Sequence, residues 1–169
     1  MSSTTKNTIA DAPVATANKA LEWVKDGMTL GLGTGRAAEA FVRALGDRVR
    51  DGLDVSGVPT SERTAKLAEE LNIPLLTLEE AGHIDVCFDG ADEVDPNLDV
   101  IKGYGGALVR EKIVAASSDR LVILVGAEKL VSHLGARGRL PVEVIPFAES
   151  LASARLAECG CPAQRRSDS

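Results

Sequence analysis

The sequence predicts an α/β fold: a mostly parallel sheet with helices on both faces, followed by the beginning of a small α+β domain. Three observations carry this expectation. Short apolar runs bounded by turn residues alternate with amphipathic stretches of helical period. A glycine-rich turn, Gly31-Leu32-Gly33-Thr34-Gly35, joins the first such run to the helix after it. The texture then changes at Leu140-Pro141-Val142-Glu143-Val144-Ile145-Pro146, where proline brackets an apolar run. The 169 residues are 44% hydrophobic and 26% charged, which suits one ordinary globular domain with a small appendage.

Residues 1–11 are rich in Ser, Thr and Asn without periodicity and read as a loose tail. Asp11 is placed to cap a helix that begins near Pro13, runs through Val14, Ala17, Leu21 and Val24, and stops at Gly27. Buried strands are predicted at Thr29–Leu32, Val55–Val58, Pro74–Thr77, Ile84–Phe88, Leu121–Val125 and Val142–Ile145, because each run is brief and bounded by turn residues. Amphipathic helices are predicted at Ala37–Val49, Glu62–Leu71, Ala107–Ser117 and Glu149–Cys159. Residues 12–139 thus form the main domain and residues 140–169 an incomplete small α+β domain. In a parallel sheet covered on both faces, ligands bind in the crevice beyond the carboxyl ends of the strands.

Composition narrows the partners. Nineteen Lys and Arg stand against 25 Asp and Glu, a net charge of -6, and no segment gathers the basic residues into a stripe, so nucleic acid is not an expected partner. No apolar run approaches the ~18 residues needed to span a bilayer. The polar start Met1-Ser2-Ser3-Thr4-Thr5-Lys6 lacks the apolar core of a secretory signal, and the expected location is cytoplasmic. Cys87, Cys159 and Cys161 make no disulfide framework, in keeping with a reducing compartment. His83 and His133 show no metal spacing and read as solvated or capping residues, while Cys159-Gly160-Cys161 reads as incidental and Cys87 as part of a strand core.

Three motifs carry candidate chemistry. The turn Gly31-Leu32-Gly33-Thr34-Gly35-Arg36 puts backbone N–H groups and a helix dipole where a small phosphate can sit, with Thr34 and Arg36 as side-chain donors. It lacks the dinucleotide fingerprint, having Arg36 where a third glycine belongs, and lacks the Gly-Lys-Ser/Thr ending of a P-loop. The alternative is a tight turn that needs glycine for positive φ. Asp89-Gly90-Ala91-Asp92-Glu93 lies at the carboxyl end of a strand, where its carboxylates serve a ligand, cap turns or hold a cation, although the calcium-loop order of oxygen ligands is absent. Lys102-Gly103-Tyr104-Gly105-Gly106 leads into a helix bearing Arg110-Glu111-Lys112. Successive helical residues turn by roughly 100°, so one solvent stripe cannot hold all three charges. Glu111 has Ala107, Leu108, Val114 and Ala115 as its helical neighbours, which makes it either a partly desolvated carboxylate able to act as a base or a surface residue paired with a nearby cation.

Taken in order and spacing, these motifs together with Leu140-Pro141-Val142-Glu143-Val144-Ile145-Pro146 resemble ribose-5-phosphate isomerase of the A type, from about residue 12 to the end. The resemblance implies a Rossmann-like sheet and a cofactor- and metal-independent aldose–ketose isomerase, an intramolecular oxidoreductase. Such an enzyme interconverts D-ribose 5-phosphate and D-ribulose 5-phosphate through an enediolate, in the non-oxidative branch of the pentose phosphate pathway. It implies Glu111 as the base that moves a proton between C1 and C2. Asp89 would assist ring opening, Asp92 would orient hydroxyls, and Lys102 would stabilise the enediolate charge. The loop Thr34, Gly35, Arg36 and Ala37, the segments Asp89, Gly90, Ala91, Asp92 and Lys102, Gly103, Tyr104, Gly105, and Lys129 would hold substrate. The acidic cluster Asp89, Asp92 and Glu93 is accordingly read as handling sugar hydroxyls. Two departures stand out. Arg36 and Ala37 replace the usual Ser or Thr, exchanging hydroxyls for a guanidinium. Family members also continue well past residue 169. The expected partners are a small-molecule sugar phosphate and further copies of the chain in a dimer or tetramer. The alternative is a non-catalytic sugar-phosphate-binding or sensing domain; a coenzyme A transferase would need a nucleotide site that the sequence does not display.

Overall fold

The structure, a computed structural model, describes residues 12–167; the tail and the Asp11 cap lie outside the described residues. In chain order the elements are α1 (Ala12–Leu21), β1 (Met28–Leu32), α2 (Arg36–Arg50), β2 (Val55–Pro59), α3 (Glu62–Glu70), α4 (Leu78–Ala81) and β3 (Val86–Gly90). They continue with β4 (Glu93–Val94), β5 (Val100–Ile101), α5 (Leu108–Ala116), β6 (Leu121–Leu124) and α6 (Glu149–Glu158), with 3-10 turns at Ala127–Lys129 and Pro146–Ala148. Among the described residues no helix is long and apolar enough to cross a membrane.

Four strands form one sheet in the order β2-β1-β3-β6, every pair parallel. Because β1 is flanked by β2 on one side and β3 on the other, the chain reverses direction across the sheet here. That switch point opens a crevice at the carboxyl ends of β1 and β3. Strand alternation divides the core between two faces. Leu30, Leu32, Val55, Val86 and Phe88 point to the face covered by α1, α2 and α3, where they pack with Phe41, Val42, Leu45, Leu67 and Ala68. Phe88 stacks on Phe41 with ring centroids 4.1 Å apart. The opposite face is smaller: Val58, Ile84 and Cys87 meet Val114 of α5. Helices therefore cover both faces, and the α/β expectation holds.

Several elements differ from the sequence expectation. Helix α1 ends at Leu21 rather than at Gly27. The next amides bond three residues back, Trp23 N–H to Ala20 O at 3.0 Å and Val24 N–H to Leu21 O at 3.1 Å, so the helix tightens and unwinds before Gly27 turns with φ of 81°. The strand expected at Pro74–Thr77 shrinks to a single bridge, Leu75 to Gly57. Pro74 brings no N–H to a ladder, and Thr77 already forms a capping box with Glu80 that starts α4. The third strand begins at Val86, not Ile84, and runs on to Gly90. No strand forms at Val142–Ile145, because no neighbouring strand offers a ladder and Val142, Val144 and Ile145 stay exposed. The antiparallel pair β4–β5 was not expected; Asp95 creates it by accepting the amides of Asn97 and Asp99 at 2.8 and 3.0 Å in a tight Asx turn.

Candidate active site

Asp89 is the penultimate residue of β3. Side chains alternate along a strand, so Asp89 shares the α5 face with Cys87, away from Val86 and Phe88. Helix α5 begins at the same carboxyl edge, and its two buried residues, Glu111 and Val114, lie three apart on one stripe. Val114 packs against Cys87, which brings Glu111, one turn nearer the helix start, over Asp89. Lys102, one residue beyond β5, enters between the two carboxylates: its Nζ lies 2.9 Å from Asp89 Oδ2 and 3.3 Å from Glu111 Oε2, and donates to Gly90 O at 2.5 Å. Asp89 is fully buried and Glu111 only 4% exposed.

Two oxygens of this group stand out. Asp89 Oδ2 and Glu111 Oε2 are buried and, among the described residues, have no aligned hydrogen-bond donor. Lys102 neutralises them as a charge while its aligned proton goes to the Gly90 carbonyl. Burial raises the Glu111 carboxyl above the ordinary glutamate range, the Asp89 charge raises it further, and Lys102 opposes both. The Cys87 thiol beneath is pushed up to about 12, by burial first and by Asp89 second, so it stays a neutral packing group. A buried carboxylate of raised proton affinity beside a fixed ammonium is the constellation a carbon acid requires: a base and a counter-charge for the oxyanion.

The glycine turn positions Asp89 by close approach. A Cβ on Gly33 would stand 2.3 Å from Asp89 Oδ1, and one on Gly31 2.8 Å from Cys87 and Val114. Of the three glycines only Gly35 has a positive φ, 101°, so the tight-turn explanation accounts for one position and close packing for the other two. The Thr34 amide donates to Asp89 Oδ1 at 3.1 Å and the Gly90 amide at 2.7 Å, which fixes the carboxylate. The Thr34 hydroxyl is occupied as well, meeting Thr60 Oγ1 at 2.7 Å and Ser61 Oγ at 2.9 Å. Thr34 therefore acts as a tie between turns. Helix α2 starts at Arg36 with no side-chain cap, leaving the amides of Arg36 and Ala37 and an exposed guanidinium at the crevice edge.

Thr34, Asp89, Gly90, Lys102 and Glu111 thus form one connected group. Asp92 lies beside it and accepts the Tyr104 amide at 3.0 Å, which pins the Lys102–Gly106 turn and with it Gly103 and Gly105; Ala91 bridges Gly90 and Asp92. Lys129 sits in the 3-10 turn after β6, at the same sheet edge. Glu93 is a correction to the acidic-cluster reading. It is 1% exposed and accepts the amides of Gly135 and Arg137 at 2.6 and 2.9 Å, so it faces a distant loop rather than sugar hydroxyls. Burial pushes its carboxyl up, but the amides of Arg137, Gly135 and Ala136 outweigh that and hold it below the ordinary range.

The hydroxyl cluster that anchors Thr34 lies outside the sequence motifs. Thr60 donates to Leu32 O at 3.1 Å, Thr64 to Gly33 O at 2.9 Å, and Ser61 caps α3. The signal was present as three hydroxyl residues within five positions at the end of a predicted strand. Glu143, which accepts the Val109 amide at 2.9 Å in the first turn of α5, had no such signal, being 34 residues distant in the chain.

Over residues 56–169 the chain matches the family Ribose 5-phosphate isomerase A (phosphoriboisomerase A). It is 55% identical over 164 residues to ribose-5-phosphate isomerase A of Parvibaculum lavamentivorans, covering 94% of this chain and 71% of that one. It is 56% identical over 142 residues to the protein of the same name from Nitrobacter hamburgensis, covering 84% of this chain and 61% of the relative. The fold superposes with a TM-score of 0.86 on ribose 5-phosphate isomerase A from Methanocaldococcus jannaschii, at 46% identity over 89% of this chain and 68% of that one. A D-ribose-5-phosphate isomerase solved in complex with phospho-erythronic acid gives a TM-score of 0.85 at 40% identity, covering 89% of this chain and 67% of that one. The chain spans about two thirds of the length of these relatives. With sequence identity, fold and the order of the motifs in agreement, this chain belongs to the ribose 5-phosphate isomerase A family.

Proposed function

We propose that this chain interconverts D-ribose 5-phosphate and D-ribulose 5-phosphate without a metal, as an aldose–ketose isomerase of the non-oxidative pentose phosphate pathway. The observation that carries the reading is Glu111 Oε2, a buried oxygen without an aligned donor on a carboxyl of raised proton affinity, 3.3 Å from Lys102 Nζ. A sensing domain has no need of such a group; a proton-transfer enzyme does.

Asp89 assists opening of the sugar ring. Glu111 then takes the proton from C2 of the open aldose, the electron pair of that C–H bond forms the C1=C2 double bond, and the carbonyl electrons settle on O1. Lys102 offsets the oxyanion. Its Nζ touches Asp89 Oδ2, Gly90 O and Glu111 Oε2, so a substrate oxygen replaces the longest of these contacts, to Glu111, which frees the base at the same moment. A proton passes from O2 to O1, and Glu111 returns its own proton to C1, giving the ketose. The amides of Arg36 and Ala37, the Arg36 guanidinium and Lys129 hold the phosphate, in keeping with the uncapped start of α2. Metal independence is supported by the carboxylates themselves: Asp89 Oδ1 accepts two amides, its Oδ2 faces Lys102, and Glu93 is taken by loop amides.

The same reading makes the protein cytoplasmic, which the free thiols Cys87, Cys159 and Cys161 support, and a homo-oligomer, which the exposed apolar row from Leu140 to Leu151 supports. The test is a coupled assay of this chain with ribose 5-phosphate, with and without EDTA. Ribulose 5-phosphate formation equal in both is the expected result. No product, or product lost to EDTA and restored by magnesium or manganese, contradicts the reading.

A further inference from the structure

The reaction leaves one buried charge without a task. Glu93, on β4, spends its carboxylate on backbone 42 and 44 residues further along the chain, at Gly135 and Arg137. Its neighbour holds the same segment a second time, for Val94 bridges Leu130 and accepts the Val131 amide at 2.9 Å. Arg137 closes the loop by donating Nη1 to the carbonyl of Glu128, which shares a 3-10 turn with Lys129. In the other direction Glu93 pairs with Ile101 across β4–β5, next in sequence to Lys102. No residue from 125 to 167 is itself buried, so this stretch takes its position from such polar ties.

We propose that Glu93 is a positioning residue that links the Lys129 turn to the strand pair carrying Lys102, and so sets the spacing of the two lysines that meet a phosphorylated sugar. The inference rests on the reading that Lys129 holds substrate. Its logic is that of a charge-assisted clamp. A carboxylate accepts from both amides at once, whereas the isosteric amide of Gln turns an N–H₂ toward one of them and loses that acceptor. The turn then relaxes while β4 and the Asp89 group stay in place, so affinity falls more than chemistry.

The experiment measures Kd for phospho-erythronic acid by calorimetry, and KM and kcat for ribose 5-phosphate, in Glu93→Gln, Arg137→Ala, Lys129→Ala and the double variant Arg137→Ala/Lys129→Ala. Glu93→Gln and Arg137→Ala each raise Kd about three- to tenfold, with KM in step and kcat changed less. In the Lys129→Ala background, Arg137→Ala adds less than about twofold, because the side chain it positions is gone. Arg137 is exposed, so its variant tests the link even where Glu93→Gln fails to fold. If Lys129→Ala weakens binding while Arg137→Ala does not, or does so in full in the double variant, the link is refuted and the Lys129 reading stands. An unchanged Kd in Lys129→Ala removes Lys129 from the site and this proposal with it.

Discussion

In the sheet region Leu30, Leu32, Phe41 and Phe88 are fully buried, whereas in residues 125–167 Phe147 is 98% exposed and Leu140 and Ile145 68%. Both stretches are apolar in sequence. What separates them is the wall each side chain meets. Phe88 lies on a strand with ladder partners on both sides and a helix layer above, while Val142–Ile145 has proline at each end and no strand beside it. The apolar pattern states which residues can be buried, and the elements brought alongside decide which are. The candidate site lies at the border. Asp89, Lys102 and Glu111 belong to the buried region, and Lys129 opens the exposed one.

The largest contrast to test is in stability. Phe88→Ala, which removes the ring stacked on Phe41, is expected to cost about 3–5 kcal/mol, and Phe147→Ala less than about 0.5 kcal/mol, by denaturant unfolding of each variant. Equal losses would break the comparison. Next comes binding. Arg36→Ala is expected to raise KM for ribose 5-phosphate about tenfold with a smaller change in kcat, since a phosphate contact serves ground and transition states alike. Arg155→Ala, which opens only a surface pair with Glu158, leaves KM where it was. An unchanged KM in Arg36→Ala would mean that loop amides and Lys129 suffice.

The pH profile sharpens the same border. Glu111 acts as a base only when ionised, and its raised proton affinity puts the acid limb of kcat/KM above the ordinary glutamate range. Lys102→Met removes the influence that lowers it, so the limb measured on residual activity moves to higher pH. Asp89→Asn removes one that raises it, so the limb moves to lower pH. Movement of both in one direction would contradict the electrostatic assignment. The smallest expected effect is on melting. A carboxyl whose proton affinity is raised by folding contributes stability that is present at low pH and lost as pH rises through the raised value. Glu111→Gln at neutral pH should therefore melt no lower than the parent, and a clear drop in Tm would show that its ion pair with Lys102 is a structural asset.

The fold class and the motif residues were legible in sequence because they rest on local signals. Brief apolar runs bounded by turn residues marked β1, β2 and β6, and patterns of helical period marked α2, α3 and α5, within a residue or two, while the charges at Arg110, Glu111 and Lys112 exceed what one solvent stripe can hold. What stayed hidden depends on long-range partners. The β4–β5 pair is two residues per strand, too short for any periodicity, and hangs on the Asp95 turn. Val142–Ile145 has strand composition and fails for lack of a neighbour. Glu93 reads as one more acid of a ligand cluster until the loop at Gly135–Arg137 folds over it. Thr34 reads as a phosphate donor until Thr60 and Ser61 arrive from the next strand to occupy its hydroxyl.

The proposed isomerisation depends above all on Glu111 moving the proton. The direct measurement is the turnover of ribose 5-phosphate by Glu111→Gln beside the parent chain, with phospho-erythronic acid affinity determined in the same preparations. With its positioned general base removed, Glu111→Gln is expected to lose roughly 10²- to 10⁴-fold in kcat with binding retained. A kcat within a few-fold of the parent, at equal affinity, would contradict it.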